Sequence, residues 1–261
     1  MSNIYKAFQN EDGSPKKAFI AFLTAGDPNY DLSVECFRAV AEAGADLIEV
    51  GIPFSDPIAE GPVIQGADLR SLESGMTTDR VFELVKEVRR TVSTPMVFMT
   101  YANPVYHYGA DRFFRKAAEC GIDGIIIPDC PYEEKGEFDE VAASYGVDFI
   151  SMIAPTSDDR IRMIASEAKG FIYVVSSLGV TGVRSEITTD IDSIVKLIKE
   201  STDTLCAIGF GISTPEQAAS MSKVADGVIV GSAMVRIVDE ERGNAPAKLA
   251  EYVRSMKAAI G

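Results

Sequence analysis

The chain has 261 residues, enough for one large α/β barrel, and its make-up, 46% hydrophobic and 25% charged, is that of an ordinary globular protein. A formal net charge of −14 and a pI near 4.6 exclude a nucleic-acid binder, whose partner demands a basic face. The four cysteines form no C-x-x-C pair, Met1–Phe8 holds no signal-peptide core and no apolar run exceeds strand length, so a reduced, cytoplasmic chain without a membrane span is expected.

In chain order, Ser2–Asn10 reads as a short lead-in helix and Asp12-Gly13-Ser14-Pro15 as a turn. Ala18–Thr24 is the first strand, stopped at Ala25-Gly26-Asp27-Pro28. A helix from about Asp31 to Ala43 follows, with Val34, Phe37, Val40 and Ala41 at helical spacing and Gly44 as its stop. Leu47–Gly51 is the second strand, followed by an acidic loop and helices over Val63–Ser71 and Asp79–Thr91. The alternation continues with strands at Met96–Tyr101, Gly124–Pro128, Asp148–Ile153, Phe171–Ser176, Leu205–Ile208 and Gly227–Val230. Helices are expected between them at Asp111–Glu119, Glu133–Ser144, Asp158–Ala168, Ile187–Glu200 and Pro215–Ser222. A short extra helix, Met234–Val238, follows the eighth strand, and Ala247–Ala259 closes the chain. Eight strands apolar on both faces, each followed by a helix, predict an α/β fold of the closed (β/α)8 TIM-barrel type. No linker divides the chain, so residues 1–261 are expected to form a single domain. No G-x-G-x-x-G follows the first strand, which disfavours a dinucleotide-binding sheet.

The segment Asp46–Pro62 organises the rest. Side chains alternate along a strand, so Leu47, Glu49 and Gly51 share one face and Ile48 and Val50 the other. With helices covering Ile48 and Val50, Glu49 points into the barrel near the carboxyl end of its strand. A carboxylate there is either paired with a buried arginine or raised in pKa toward neutrality, the profile of a general acid/base.

Barrel active sites lie at the carboxyl ends of the strands. Those ends carry no lysine, which argues against a Schiff-base aldolase, and the single histidine, His107, cannot form a histidine metal cluster. Carboxylate acid–base chemistry remains, with a tyrosine as helper. Three glycine-bearing turns, Leu178–Gly182, Gly209–Ile212 and Gly231-Ser232, fall after the sixth, seventh and eighth strands. Glycine admits close approach of the backbone to an anion, and a short helix after the last strand offers free N–H groups, so these turns predict a phosphate site. Thr214 and Gln217 read instead as a capping box.

Leu47–Pro62, Gly179-Val180-Thr181-Gly182, Gly209–Ile212 and Gly231-Ser232, with Met99–Asn103 and Asp129, together resemble the tryptophan synthase alpha family over nearly the whole chain. The resemblance implies cleavage of indole-3-glycerol phosphate to indole and glyceraldehyde 3-phosphate with no metal or cofactor in this chain. It also implies a beta subunit that carries pyridoxal phosphate and receives the indole, in an alpha2-beta2 complex. Carried onto these residues, Glu49 makes the proton transfers, Glu60 accepts from the indole N–H and Tyr173 assists. Phe22 and Phe210 wall the indole, and Gly182, Gly211, Gly231 and Ser232 hold the phosphate. Thr181 closes a loop onto Glu60, and Asp56 contacts the beta subunit, with Pro104-Val105-Tyr106 and Cys130-Pro131-Tyr132 flanking that surface. This chain departs from the usual family pattern at Glu60, where Asp is commoner, and at Ser177, where many members carry Arg. Two rival readings share the phosphate turns: another sugar-phosphate enzyme on the same barrel, and a non-catalytic phosphate-binding subunit.

Overall fold

The computed structural model describes residues 2–175, 191–209 and 211–261. Among them are nine strands, β1 (Ala18–Thr24), β2 (Leu47–Gly51), β3 (Met96–Met99), β4 (Gly124–Ile126), β5 (Asp148–Phe149), β6 (Ser151–Ile153), β7 (Ile172–Val175), β8 (Cys206–Gly209) and β9 (Gly227–Val230). All pairings are parallel, in the order β5-β4-β3-β2-β1-β9-β8-β7-β6. The two ends of that order are one run of chain interrupted only at Ile150, so β5 pairs with β4, β6 pairs with β7, and the sheet curls round on itself as a barrel. The expected strand Asp148–Ile153 is thus two short strands, because one segment must meet a neighbour on each side of a sharply curved wall.

The described helices are α1 (Tyr30–Glu42), α2 (Pro62–Glu73), α3 (Thr78–Arg89), α4 (Ala102–Tyr108), α5 (Ala110–Glu119), α6 (Gly136–Ser144), α7 (Asp158–Ser166), α8 (Ile191–Ser201), α9 (Pro215–Ser222), α10 (Ser232–Glu241) and α11 (Ala245–Ile260). Several starts follow directly from sequence. Asn29 and Thr77 accept from Leu32 and Arg80 N–H groups at α1 and α3, and Thr214 with Gln217 forms the capping box of α9. Helix α4 occupies a stretch expected to be loop. Pro104 does not prevent it, since a proline in the first turn gives up an N–H that has no helical partner there. The lead-in is a 3-10 turn, Ile4–Phe8, rather than a full helix.

Strand alternation divides the apolar residues into two cores. Ile48, Val50, Phe98 and Ile125 face outward beneath the helices. Ile20, Phe22, Leu47, Val97, Ile126, Tyr173 and Ile229 face inward. Ile4 and Phe8 join the inner cluster, with Phe8 against Phe171 at 6.2 Å between ring centres. The lead-in therefore plugs the amino-terminal end of the barrel and leaves the carboxyl end for a ligand. Aspartates just before β2, β4 and β9 brace that floor. Asp46, Asp123 and Asp226 accept from the main-chain N–H of Phe19, Met96 and Cys206, at 2.7, 3.2 and 3.0 Å, each at the start of the preceding strand. Lys16 and Lys257 neutralise Asp46 at 2.7 and 2.6 Å.

Candidate active site

Glu49 lies in the barrel's inner layer. The ladder pairs it with Phe22 on β1 and Val97 on β3, both of which face the interior. It is 1% exposed, and its Oε1 is buried without a hydrogen-bond partner, so the arginine-paired alternative does not hold. Burial first, and the Glu60 charge second, push its carboxyl up to about 8. At neutral pH such a group keeps its proton and can both give and take one.

Glu60 is buried at the end of the acidic loop, immediately before Gly61, the cap of α2. Its main-chain carbonyl accepts from Gln65 Nε2 at 2.7 Å, and its N–H donates to Pro57 O at 3.1 Å, which tightens the loop onto the helix start. Tyr173, on β7, is almost fully enclosed, and its phenol is held well above the usual range by burial, with Glu49 and Glu60 adding in the same direction. Glu49, Glu60 and Tyr173 thus act on one another at the mouth of the barrel.

Two glycines make room for the ring residues of this layer. A Cβ at Gly51 would lie 2.7 Å from Phe22 Cζ, and one at Gly209 would lie 2.4 Å from Tyr173 Oη. The Phe22 ring also passes Gly231, where a Cβ would stand 3.4 Å away, so Phe22 spans from the strand of Glu49 to the turn that opens α10. Helix α10 starts at Ser232 and runs to Glu241, longer than the Met234–Val238 expected. Ser232 is therefore its first residue and contributes to the free N–H groups at its amino end. Gly211 has φ of +91°, a conformation other residues rarely adopt. Thr181, Gly182 and Phe210, with Ser177, lie outside the described residues.

A cavity of about 440 Å³ adjoins the mouth, lined by Ala59, Pro128, Ile150, Met152, Ala154 and Val175 among others. Ala59 connects it to the loop of Glu60, while Ile150 and Val175 connect it to the barrel interior; neither Glu49 nor Glu60 lines it. Its lining is mixed, since Lys135, Arg160, Ser151 and Thr156 join these apolar side chains.

Asp56 and Ile58 are exposed at the tip of the acidic loop, Ile58 by 74%, and Tyr106 on α4 is exposed by 74% as well. Val105, expected on the same surface, is instead fully buried, because the unforeseen helix α4 turns it into the outer core. Phe54 packs on Tyr101 at 5.4 Å, and Tyr101 Oη accepts from Ala59 N–H at 3.0 Å, so one side chain staples both ends of the loop.

Sequence reasoning missed Asp68. This aspartate lies on the buried face of α2 with Ile64, Ala67 and Ser71, and burial followed by the Glu60 charge pushes it up to about 8. The signal was available: an acid at spacings of four from Ile64 and three from Ser71 shares their inward face.

Residues 8–261 match the family model described as "Tryptophan synthase alpha chain". A tryptophan synthase alpha chain from Lactiplantibacillus plantarum is 50% identical over 261 residues, covering 100% of this chain and 97% of the relative. The one from Lacticaseibacillus casei is 45% identical over 260 residues, covering 100% and 96%. Among solved structures, tryptophan synthase subunit alpha from Legionella pneumophila superposes with a TM-score of 0.90 at 35% identity, covering 100% of this chain and 98% of that one. A chain of the tryptophan synthase complex from Pyrococcus furiosus gives 0.84 at 37% identity, covering 93% and 98%. With an inward carboxylate pair at the barrel mouth and relatives alike over their full length, the chain belongs to the tryptophan synthase alpha chain family, as an enzyme subunit of tryptophan biosynthesis.

Proposed function

We propose that the chain is a carbon–carbon lyase that cleaves indole-3-glycerol phosphate to indole and glyceraldehyde 3-phosphate, with Glu49 as its acid and base. The observation that carries this reading is Glu49 itself: buried, inward, raised to about 8, and with one oxygen unpartnered. Protonated Glu49 delivers its proton to ring carbon C3, giving an indolenine. The resulting carboxylate takes the proton of the glycerol hydroxyl next to the ring. The carbon–carbon bond then breaks, its electron pair restores the indole, and the hydroxyl carbon becomes the aldehyde of glyceraldehyde 3-phosphate. The proton count balances, since Glu49 gives one and regains one.

Glu60 accepts from the indole N–H and stabilises the positive charge that develops there. Tyr173 orients Glu49 or the substrate across the barrel. Phe22 and Phe210 flank the ring. Gly182, Gly211, Gly231 and Ser232 hold the phosphate, the last two at the amino end of α10. Thr181 ties its loop to Glu60. No cofactor or metal takes part in this chain; the indole passes to a beta subunit carrying pyridoxal phosphate. Asp56, exposed with Ile58 on the acidic loop, faces that subunit, and the assembly acts in the cytoplasm.

Indole release from indole-3-glycerol phosphate without added metal tests the reading. Glu49→Gln should lower turnover by at least ~10²-fold while holding affinity for a phosphate-bearing analogue within a few-fold. Undiminished turnover would remove Glu49 from the chemistry and favour a non-catalytic subunit.

A further inference from the structure

Helices α2 and α10 both begin at the barrel mouth and pack side by side, with Ile64, Ala67 and Val235 in the same inner apolar cluster. Gly61, next to Glu60, caps the first, and Ser232 opens the second. Arg70 lies eight residues past Pro62 and Asp239 seven past Ser232, about two turns below the mouth on each helix. There the two are tied. Arg70 Nε and Nη2 fork onto Asp27 at 2.8 and 2.9 Å, while Nη1 reaches Asp239 at 3.3 Å. Asp27 is only 3% exposed in the turn after β1, so the fork is anchored beside the barrel wall. Arg242 holds Asp239 from its other side at 2.8 Å. Among the described residues no other ion pair joins the two helices.

A guanidinium is planar, so two bonds to one carboxylate fix where its third nitrogen points. Seating α2 on the turn after β1 does not need that third arm. Ser71 Oγ donates to Ala25 O at 2.6 Å, and Ser74 Oγ donates to Gly26 O at 3.4 Å. A lysine would also neutralise Asp27. What the third nitrogen adds is a fixed distance between α2 and α10.

We propose that Arg70 is a positioning residue for substrate length: by tying α10 to α2 it sets the span between Glu60, at the head of one helix, and the N–H groups at the head of the other. Helices move as rigid pieces over two turns, so a shift at the tie is carried to both heads. The ligand this span fits has a ring N–H at one end, a phosphate at the other and a three-carbon chain between them. The inference rests on the proposed function, which places the indole N–H at Glu60 and the phosphate at Ser232. A ligand held at both ends senses the span; a ligand held at one end does not.

The test uses the full chain with its beta subunit and two unreactive probes. 3-(Indol-3-yl)propyl phosphate carries both ends, and glycerol 3-phosphate carries the phosphate end alone. Arg70→Lys keeps a charge for Asp27 and removes the fork. Its dissociation constant for the spanning probe should rise at least ~5-fold more than that for glycerol 3-phosphate, and kcat/KM for indole-3-glycerol phosphate should fall at least ~5-fold. Asp239→Ala, at a side chain 44% exposed, should shift the same ratio at least ~3-fold, and it carries the test should Arg70→Lys fail to fold. Combining the two should change the ratio by less than about twofold beyond Arg70→Lys alone, since both remove one contact.

A smaller shift in the ratio, equal losses for the two probes or a fully multiplicative double variant would each overturn the proposal. The parent chain separates this from the function it rests on. A parent that binds the spanning probe no more tightly than glycerol 3-phosphate removes the two-ended substrate and, with it, the role of Arg70. A parent that binds it more tightly, beside variants whose ratio stays at the parental value, removes Arg70 alone.

Discussion

Phe22 and Glu49 are register partners on adjacent parallel strands, and the far edge of the Phe22 ring lies over Gly51, two residues beyond the acid. The ring is thus held at the level of the reacting carboxyl by the absence of a side chain. Gly51→Ala would place a Cβ 2.7 Å from Phe22 Cζ, with the neighbouring backbone carbonyl of Leu23 at 3.5 Å. The ring must tilt, and under the proposed function it tilts into the space the indole takes. We expect kcat/KM to fall at least ~10-fold, with a loss of about 1–3 kcal/mol in urea unfolding. Adding Phe22→Leu should recover much of the stability; an unaltered kcat/KM in Gly51→Ala would mean that Phe22 does not wall the substrate.

Glu49 also gives the pH dependence a definite sign. Its ordinary value of 4.5 applies in the unfolded chain, and burial raises it to about 8 in the folded one. Between those values the folded chain binds the extra proton, so this group's contribution to stability declines as pH rises from about 4.5 to about 8. Glu49→Gln should therefore match the parent near pH 4.5 and exceed it above pH 8 by about 1 kcal/mol or more in chemical denaturation. Since the acid must carry its proton to begin the reaction, kcat/KM should fall along a basic limb near pH 8. The Glu60 charge raises both Glu49 and Asp68, so it shifts where that limb falls. A flat stability difference across this range would contradict the burial of an ionisable Glu49.

The barrel and its central acid were legible because period-two alternation in Leu47–Gly51 is short and unambiguous: Ile48 and Val50 must go under helices, so Glu49 must go in. Three strands, β1, β2 and β9, end where their glycine or polar stops indicate. The split at Ile150 was not legible, since curvature of a closed wall is a property of the whole ring rather than of any hexapeptide. Helix α4 was hidden by Pro104, which reads as a breaker until its place in the first turn is known. Asp68 stands on a helix rather than at a strand end, and its burial depends on which face of α2 lies on the turn after β1.

Ser232 opens α10, so a charge placed there tests the anion site directly. Ser232→Glu puts a carboxylate at a helix start, which favours the helix by about 0.3–1 kcal/mol and competes with a bound phosphate. The chain should keep its stability while KM for indole-3-glycerol phosphate rises at least ~10-fold and kcat changes much less. Inhibition by glycerol phosphate should weaken in parallel. An unchanged KM would place the phosphate elsewhere on the rim.

The exposed tip of the acidic loop separates catalysis from assembly. Among the described residues the Asp56 carboxylate accepts a hydrogen bond from the Ser55 hydroxyl, at 2.6 Å, and from no other side chain, and Ile58 is 74% exposed. Asp56→Lys therefore alters no packing within the chain, and its unfolding transition should be unshifted to within about 0.5 kcal/mol. If the proposed contact with the beta subunit holds, the same change reverses a charge within it and should weaken association at least ~10-fold in a calorimetric titration. Because Phe54 and Ala59 anchor the loop at both ends on Tyr101, the free chain's own turnover should stay within about twofold. Full affinity in Asp56→Lys would move the contact surface away from this loop; a large loss of turnover in the free chain would show instead that the tip and Glu60 move as one piece.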